Sequence, residues 1–146
     1  MPHAGFEHHA AAPAPPDRAW AALQDAATWD GLGPIAGVWD AAHGEDGGLR
    51  SFRFRAAVAG RSFEGTARAA ATRPGEEMTL RLDTGEVRAV LTAALSAAGD
   101  GTGVAVRLDV EPAGMLATLF WRVVRDAVAS EFAPQVEALA SRLGGP

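Results

Sequence analysis

Residues 113–143 carry apolar side chains at the i, i+3, i+4, i+7 spacing of a helix with one apolar face. Pro134 lacks a backbone N–H and clashes with the preceding turn, so we expect a bend at residues 130–133. Gly144 and Gly145 are expected to end the helix. The apolar positions are Leu116, Leu119, Phe120, Val123, Val124, Ala127, Val128, Phe132, Val136, Leu139, Ala140 and Leu143.

The rest of the chain alternates apolar and polar residues, as half-buried strands do. A short helix is predicted at residues 16–27, where prolines and Asp17 stand at the start, with Trp20, Leu23 and Ala27 facing inward. A turn at Ala59-Gly60 separates two of the strands. The predicted strands are residues 6–12, 35–42, 49–58, 61–71, 78–83, 87–95 and 104–110.

Each predicted strand has one apolar and one polar row, so the sheet is expected to be covered on one face only. The final helix alone is expected to be large enough to cover that face. The sequence therefore predicts one α+β domain over residues 1–146. It consists of a curved antiparallel sheet of about six or seven strands wrapped around a long C-terminal helix, with one or two short helices after the first strand.

The inner rows of this sheet mix bulky residues with very small ones such as Ala56, Gly65 and Ala89. Small residues that face small residues leave an apolar void, which suits an apolar ligand. The alternative is that loops and the first helix fill this space. The predicted lining comes from the sheet (Phe52, Phe54, Phe63, Met78, Leu80, Leu91), from the helix (Leu116, Leu119, Phe120, Val123, Val124, Val128) and from two border residues (Trp39, His8).

Composition and charge exclude several classes of function. The net charge of −5 and a pI near 5.3 argue against a nucleic-acid partner. The absence of cysteine excludes a thiolate nucleophile and a thiolate metal site, and the absence of lysine excludes a Schiff base. The first ten residues lack the features of a signal peptide and no apolar run approaches the ~20 residues of a membrane span, so we expect a cytoplasmic protein.

Few polar residues are expected to face the cavity, and no catalytic constellation is evident. His8 is the histidine that strand alternation places inward, where it suits hydrogen bonding to a ligand or acid–base chemistry. A frayed surface position is the alternative. Arg50 is in register with Phe52 and Phe54 and is either a rim residue or an exposed strand end. His8 and His9 point to opposite faces of a strand, so we expect no metal site and no cofactor.

The start of the first helix, Ala-Pro-Pro-Asp-Arg-Ala-Trp at residues 14–20, and Thr28-Trp29 after it resemble the START/polyketide-cyclase superfamily, the helix-grip fold. The resemblance covers nearly the whole chain. Helix-grip proteins hold apolar small molecules between the sheet and the long helix. The resemblance therefore implies that this chain binds a lipid-like or quinone-like molecule.

Within that superfamily, three segments look most like the G-subunit family of carbon monoxide dehydrogenase. They are Phe63-Glu64-Gly65-Thr66, Leu95 with Gly101-Thr102-Gly103, and Glu131-Phe132. This narrower resemblance implies an accessory protein that docks on a larger redox enzyme. Members of that family commonly carry a C-terminal tail that contacts the membrane. This sequence ends at Pro146, so we expect membrane contact to be peripheral at most.

The sequence thus favours a non-catalytic binder or carrier of a small hydrophobic molecule. The alternative is an enzyme of the polyketide cyclase or aromatase type, in which the shape of the pocket and His8 or Arg50 would guide ring closure. The scarcity of inward acid–base groups ranks the binder first. The fold does not decide between them, because it hosts both activities.

Overall fold

A computed structural model describes residues 2–58 and 60–143 of the chain. It contains seven antiparallel strands and a long C-terminal helix, which confirms the predicted α+β fold class and its helix-grip layout. The predicted turn residue Ala59 and the predicted helix stop at Gly144 and Gly145 lie outside the described residues. Among the residues described, no helix is both long and apolar enough to cross a membrane.

The sheet has the strand order β1-β7-β6-β5-β4-β3-β2, so the first and last strands pair and β1 and β2 lie at its two edges. Every neighbouring pair is antiparallel. The strands are β1 (Ala4–Ala12), β2 (Val38–His43), β3 (Leu49–Val58), β4 (Arg61–Arg73), β5 (Glu77–Asp83), β6 (Val87–Ala98) and β7 (Gly101–Pro112).

The predicted inner rows are buried, because their side chains form the hydrophobic core against the covering layer. Phe52, Leu80 and Leu91, for example, are almost completely inaccessible, while their strand neighbours Arg53 and Arg81 are exposed. The alternation also holds in β1, where Phe6, His8, Ala10 and Ala12 are less exposed than the residues between them.

The first helix is shorter than predicted. It spans Pro16–Leu23 (α1), and a separate 3-10 helical turn follows at Ala26–Trp29. The break occurs because Asp25 has an extended backbone and its side chain accepts a hydrogen bond from the Ala27 N–H at 3.1 Å, which starts the second segment. The prediction that Ala27 faces inward is wrong: Ala27 is exposed, and Ala26 and Trp29 are buried instead.

The predicted C-terminal helix is divided into two helices. A short helix spans Met115–Leu119 (α2), the helix is interrupted at Phe120, and the long helix spans Trp121–Arg142 (α3) with Pro134 inside it. The predicted single helix over residues 113–143 is therefore wrong. The two helices have different supports: the backbone N–H of Ala117 in α2 donates to Oε1 of Glu86 at 2.8 Å, whereas α3 packs mainly on β1.

The prediction that the long helix alone covers the sheet is also wrong. Only the C-terminal half of α3 is well buried, through Phe132, Val136, Leu139 and Ala140. The segment between β1 and β2 covers much of the remaining face, with Leu23, Trp29, Leu32 and Ile35 buried in the core. Sequence periodicity missed this contribution because most of the segment is neither a regular helix nor a strand.

Strand β2 begins at Val38 rather than at residue 35, and this changes the position of Trp39. Val38 pairs with the inward Phe54, and Trp39 pairs with the outward Arg53. The Arg55 guanidinium lies 5.6 Å from the centre of the Trp39 ring, an arrangement that suits a cation–π contact. Trp39 therefore lies on the outer face of the sheet, and its predicted place at the border of the cavity is wrong.

Candidate ligand-binding groove

The small residue Gly65 on the inner face does not leave empty space. A Cβ atom on Gly65 would lie 2.6 Å from Cζ of Phe54 and 2.9 Å from the carbonyl oxygen of Asp83. The ring of Phe54 therefore occupies the space that the missing side chain of Gly65 provides. At this position a neighbouring strand fills the gap, so the small residue does not create a cavity.

The predicted ligand residues from the sheet lie together in the packed interior. Phe52, Phe54, Met78, Leu80 and Leu91 are almost completely buried and belong to the hydrophobic core. The rings of Phe52 and Phe54 contact each other edge to face, with centroids 6.4 Å apart. Phe63 is partly buried and packs against the same core. None of these side chains lines the open groove described below.

An open groove of about 270 Å³ remains at one end of the sheet. It lies between the N-terminal half of α3, the tip of the β3–β4 hairpin, the loop that follows the 3-10 turn, and the adjoining ends of β6 and β7. Its lining is mostly apolar, as in sites that accept apolar small molecules. The lining residues are Gly33, Pro34, Ala57, Gly60, Val87, Val110, Val123, Val124, Ala127, Val128, Glu131 and Gln135.

The structure brings three of the predicted helix residues, Val123, Val124 and Val128, into this groove. Leu116 is partly buried within α2, whereas Leu119 at the end of α2 and Phe120 after it project outward. The expectation that the whole apolar face of the helix is covered is wrong. Met115, Leu119, Phe120 and Val123 are 85, 74, 43 and 59% exposed, because α2, the interruption at Phe120 and the start of α3 lie outside the buried contact between α3 and β1.

Two polar side chains of α3, Glu131 and Gln135, lie at the groove. The carbonyl oxygen Oε1 of Gln135 accepts a hydrogen bond from the backbone N–H of Gly33 at 2.9 Å. This contact fixes the loop against the helix and orients the Gln135 amide. Further along α3, Nη2 of Arg142 donates to the carbonyl oxygens of Thr28 and Asp30 at 2.7 and 3.0 Å.

His8 and Arg50 lie outside this groove. Nε2 of His8 is 2.7 Å from Oε2 of Glu137, so the histidine joins β1 to the C-terminal half of α3. Arg50 is exposed and lines a separate, polar groove of about 850 Å³ with His43 and Arg68. The structure therefore brings neither of the two proposed acid–base or anchoring residues to the apolar groove.

The outer face of the sheet carries most of the charged pairs among the described residues. Nε and Nη2 of Arg107 donate to the two carboxylate oxygens of Asp109 at 2.9 and 3.0 Å. This hydrogen bonding, together with the charge of Asp109, raises the pKa of Arg107. No group of three or more histidine, aspartate or glutamate side chains suited to a metal ion occurs in residues 2–58 and 60–143.

Sequence reasoning missed one wall of the groove and one of its polar groups. Gly33 and Pro34 are loop residues, and Ala57 and Gly60 lie at a hairpin tip, so periodicity gave no sign that they meet α3. Gln135 is four residues after Glu131, one helical turn away on the same face, and this spacing is the signal that was available. The sequence had singled out Glu131 only as part of a motif.

Comparisons with known proteins identify relatives of this fold. A family model described as polyketide cyclase / dehydrase and lipid transport matches residues 3–144. The aromatase/cyclase ZhuI from Streptomyces sp. R1128 has a TM-score of 0.73 and 19% identity, with 95% of this chain and 92% of that chain covered. No curated protein matches the sequence.

Two further solved structures have similar scores. A START superfamily protein from Mycobacterium smegmatis has a TM-score of 0.68 and 16% identity, covering 97% of this chain and 98% of that one. A protein from Thermus thermophilus has a TM-score of 0.66 and 18% identity, covering 97% of each chain. At these identities the structural matches show a shared fold and nothing more specific.

Proposed function

Because this chain belongs to the polyketide cyclase / dehydrase and lipid transport family, we propose that it binds a small hydrophobic molecule in the groove between α3 and the β3–β4 hairpin. The observation that carries the proposal is the groove itself. It is an opening lined mostly by valine, alanine, glycine and proline beside a large buried hydrophobic core. When a ligand displaces water from an exposed apolar lining of this kind, the removal of apolar surface from water stabilises the complex.

The size of the groove limits the ligand. Its volume of about 270 Å³ lies just below the roughly 300–1,000 Å³ typical of small-molecule sites. A compact ligand or a medium-length chain suits this space. A longer lipid would leave part of its chain in solvent or would require α3 to move away from the hairpin. The proposed ligand is therefore smaller than a membrane phospholipid.

A groove-filling variant tests the proposal. Ala127 lines the groove on α3 and is exposed, so Ala127→Trp should occupy the space without disturbing the core. We expect the affinity for the neutral fluorescent probe N-phenyl-1-naphthylamine to fall by about tenfold or more, as for the loss of most apolar contact in a small site. Fluorescence titration and circular dichroism measure binding and folding.

Ala129→Trp is the matched control, since Ala129 is exposed on the same helix and does not line the groove. It should bind the probe as the unmodified protein does. Equal binding by Ala127→Trp and the unmodified protein would contradict the assignment of the site. The absence of any probe binding by the unmodified protein would contradict the proposed function itself.

The cyclase alternative has less support from the geometry. Ring closure by acid–base chemistry needs titratable groups next to the substrate, and Glu131 is the titratable residue among the described residues that line the groove. The proposed roles of His8 and Arg50 in guiding ring closure are tested by replacing both with alanine. If the double variant kept full turnover of a polyketide substrate, neither residue would be catalytic.

The narrower likeness to the G-subunit family of carbon monoxide dehydrogenase gives a second candidate role, as a cytoplasmic accessory protein that docks on a larger redox enzyme. The exposed side chains Met115, Leu119, Phe120 and Val123 favour such a contact. Affinity purification from the native host is the test, with the double variant Leu119→Ser and Phe120→Ser as the comparison. An enzyme recovered equally well by this variant would contradict docking through α2 and the start of α3.

A further inference from the structure

The polar groups at the groove restrict the chemistry of the ligand that the proposed function requires. Glu131 supplies carboxylate oxygens, which accept hydrogen bonds. It forms no ion pair within residues 2–58 and 60–143. The groove lining contains neither arginine nor histidine over the same residues. An anionic ligand would therefore meet a like charge there with no compensating cation.

Gln135 supplies the complementary donor. Its Oε1 is already used by the backbone N–H of Gly33, and only the oxygen of an amide can accept from an N–H, so this contact fixes which side of the amide faces the loop. The Nε2 group makes no hydrogen bond to any described residue. Gln135 is partly buried, but Nε2 is not among the buried polar atoms, so a ligand oxygen can reach it from the groove.

Glu131 and Gln135 are one turn apart on the same face of α3, with Cβ atoms about 5–6 Å apart for this spacing. An acceptor and a donor at this distance match a group that both donates and accepts. A hydroxyl does so without a charge. A carboxylate cannot donate, a ketone cannot donate, and an ammonium group cannot accept.

We propose that the groove selects neutral hydroxyl-bearing apolar molecules, alcohols or phenols, and discriminates against carboxylates of the same length. The hydroxyl hydrogen is donated to Glu131 and the hydroxyl oxygen accepts from Nε2 of Gln135, while the apolar part lies against Val124 and Val128. This inference rests on the proposed function and adds the class of ligand to it.

Displacement of N-phenyl-1-naphthylamine by four ten-carbon compounds tests the inference: 1-decanol, 2-decanone, decanoate and decylamine. We expect 1-decanol to displace the probe at the lowest concentration, 2-decanone to need severalfold more, and decanoate about tenfold more or beyond, because of the unfavourable charge pair. Displacement by decanoate or decylamine at concentrations equal to or below that of 1-decanol would overturn the inference.

Charge variants connect the selectivity to Glu131. Glu131→Gln removes the like charge and should reduce the preference for 1-decanol over decanoate to about threefold or less. Asp126→Asn removes the same charge from the same helix outside the groove lining and should leave the preference unchanged. If both variants changed the preference equally, the net charge of −5 would explain the selectivity and the assignment to Glu131 would be wrong.

Arg61 provides a further check, because it follows the lining residue Gly60 at the hairpin tip and is exposed. Arg61→Ala should leave the order of the four compounds unchanged. Stronger binding of decanoate than of 1-decanol that depended on Arg61 would overturn the inference. Probe binding with the wrong order of competitors overturns this inference alone, whereas the absence of probe binding overturns the proposed function with it.

Discussion

At the scale of single residues, Gly65 shows how close approach between strands replaces a void. The position that a Cβ atom would take on Gly65 is directed at the ring of Phe54, on the strand beside it, and at the backbone of Asp83. Sequence alternation correctly placed Gly65 and Phe54 on the inner face. It did not show that one fills the space of the other, because the direction of a side chain along the sheet is set by packing in three dimensions and not by spacing in the sequence.

The replacement of Gly65 by alanine tests this packing. The added methyl group would lie 2.6 Å from Cζ of Phe54, so we expect Gly65→Ala to lower the free energy of unfolding by about 1–3 kcal/mol, as overpacked cores do. Urea denaturation measures the loss. Phe54→Leu in the same background should recover part of it, and strictly additive effects of the two substitutions would argue against direct contact.

At the scale of elements, α3 has two parts with different environments. Its C-terminal half packs on β1, with the rings of Phe6 and Phe132 6.0 Å apart, and is tied to the segment between β1 and β2 through Gln135 and Arg142. Its N-terminal half carries Val123 and Ala127 at the groove, where they are exposed. Helical periodicity predicted one continuous apolar face, because spacing records which residues share a face and not whether another element covers it.

Two matched truncations on this helix should differ strongly in how much they lower the free energy of unfolding. Phe132→Ala removes a buried ring and should destabilise the protein by about 3–5 kcal/mol. Val123→Ala removes an exposed side chain and should change stability by about 0.5 kcal/mol or less. Chemical denaturation of the two variants provides the comparison, and similar losses would mean that the N-terminal half of α3 is packed in solution.

At the scale of the whole molecule, the antiparallel sheet and the number of its strands follow from regular alternation over long strands, and this part of the fold was predicted correctly. The strand order was not predicted, because alternation shows which residues share a face and not which strands pair. The start and register of the edge strand β2 and the position of the groove were harder to predict. The position of Trp39 depends on the register of β2, which is irregular near Asp40, a residue with a φ of 53°. The groove depends on where a loop and a hairpin tip meet α3, and neither has a periodic signal.

Ligand binding should stabilise the whole molecule. A ligand present at 100 times its dissociation constant adds about 2.7 kcal/mol to the free energy of unfolding, which corresponds to an increase in Tm of about 5–11 °C for a chain of this size. Thermal denaturation with 1-decanol should show this increase for the unmodified protein and for Ala129→Trp. Ala127→Trp should show little increase, and an equal increase in all three proteins would indicate binding elsewhere.

The two halves of α3 have different environments, and this difference has a consequence for the divergence of related sequences. The side chains that anchor the helix begin at Phe132, and most of those that line the groove come before it. If the groove binds the proposed ligand, substitutions accumulated in residues 121–128 should alter which molecule it accepts while leaving the anchoring of α3 intact. On this proposal, related sequences can change the ligand that they prefer without first acquiring a substitution that restores lost stability.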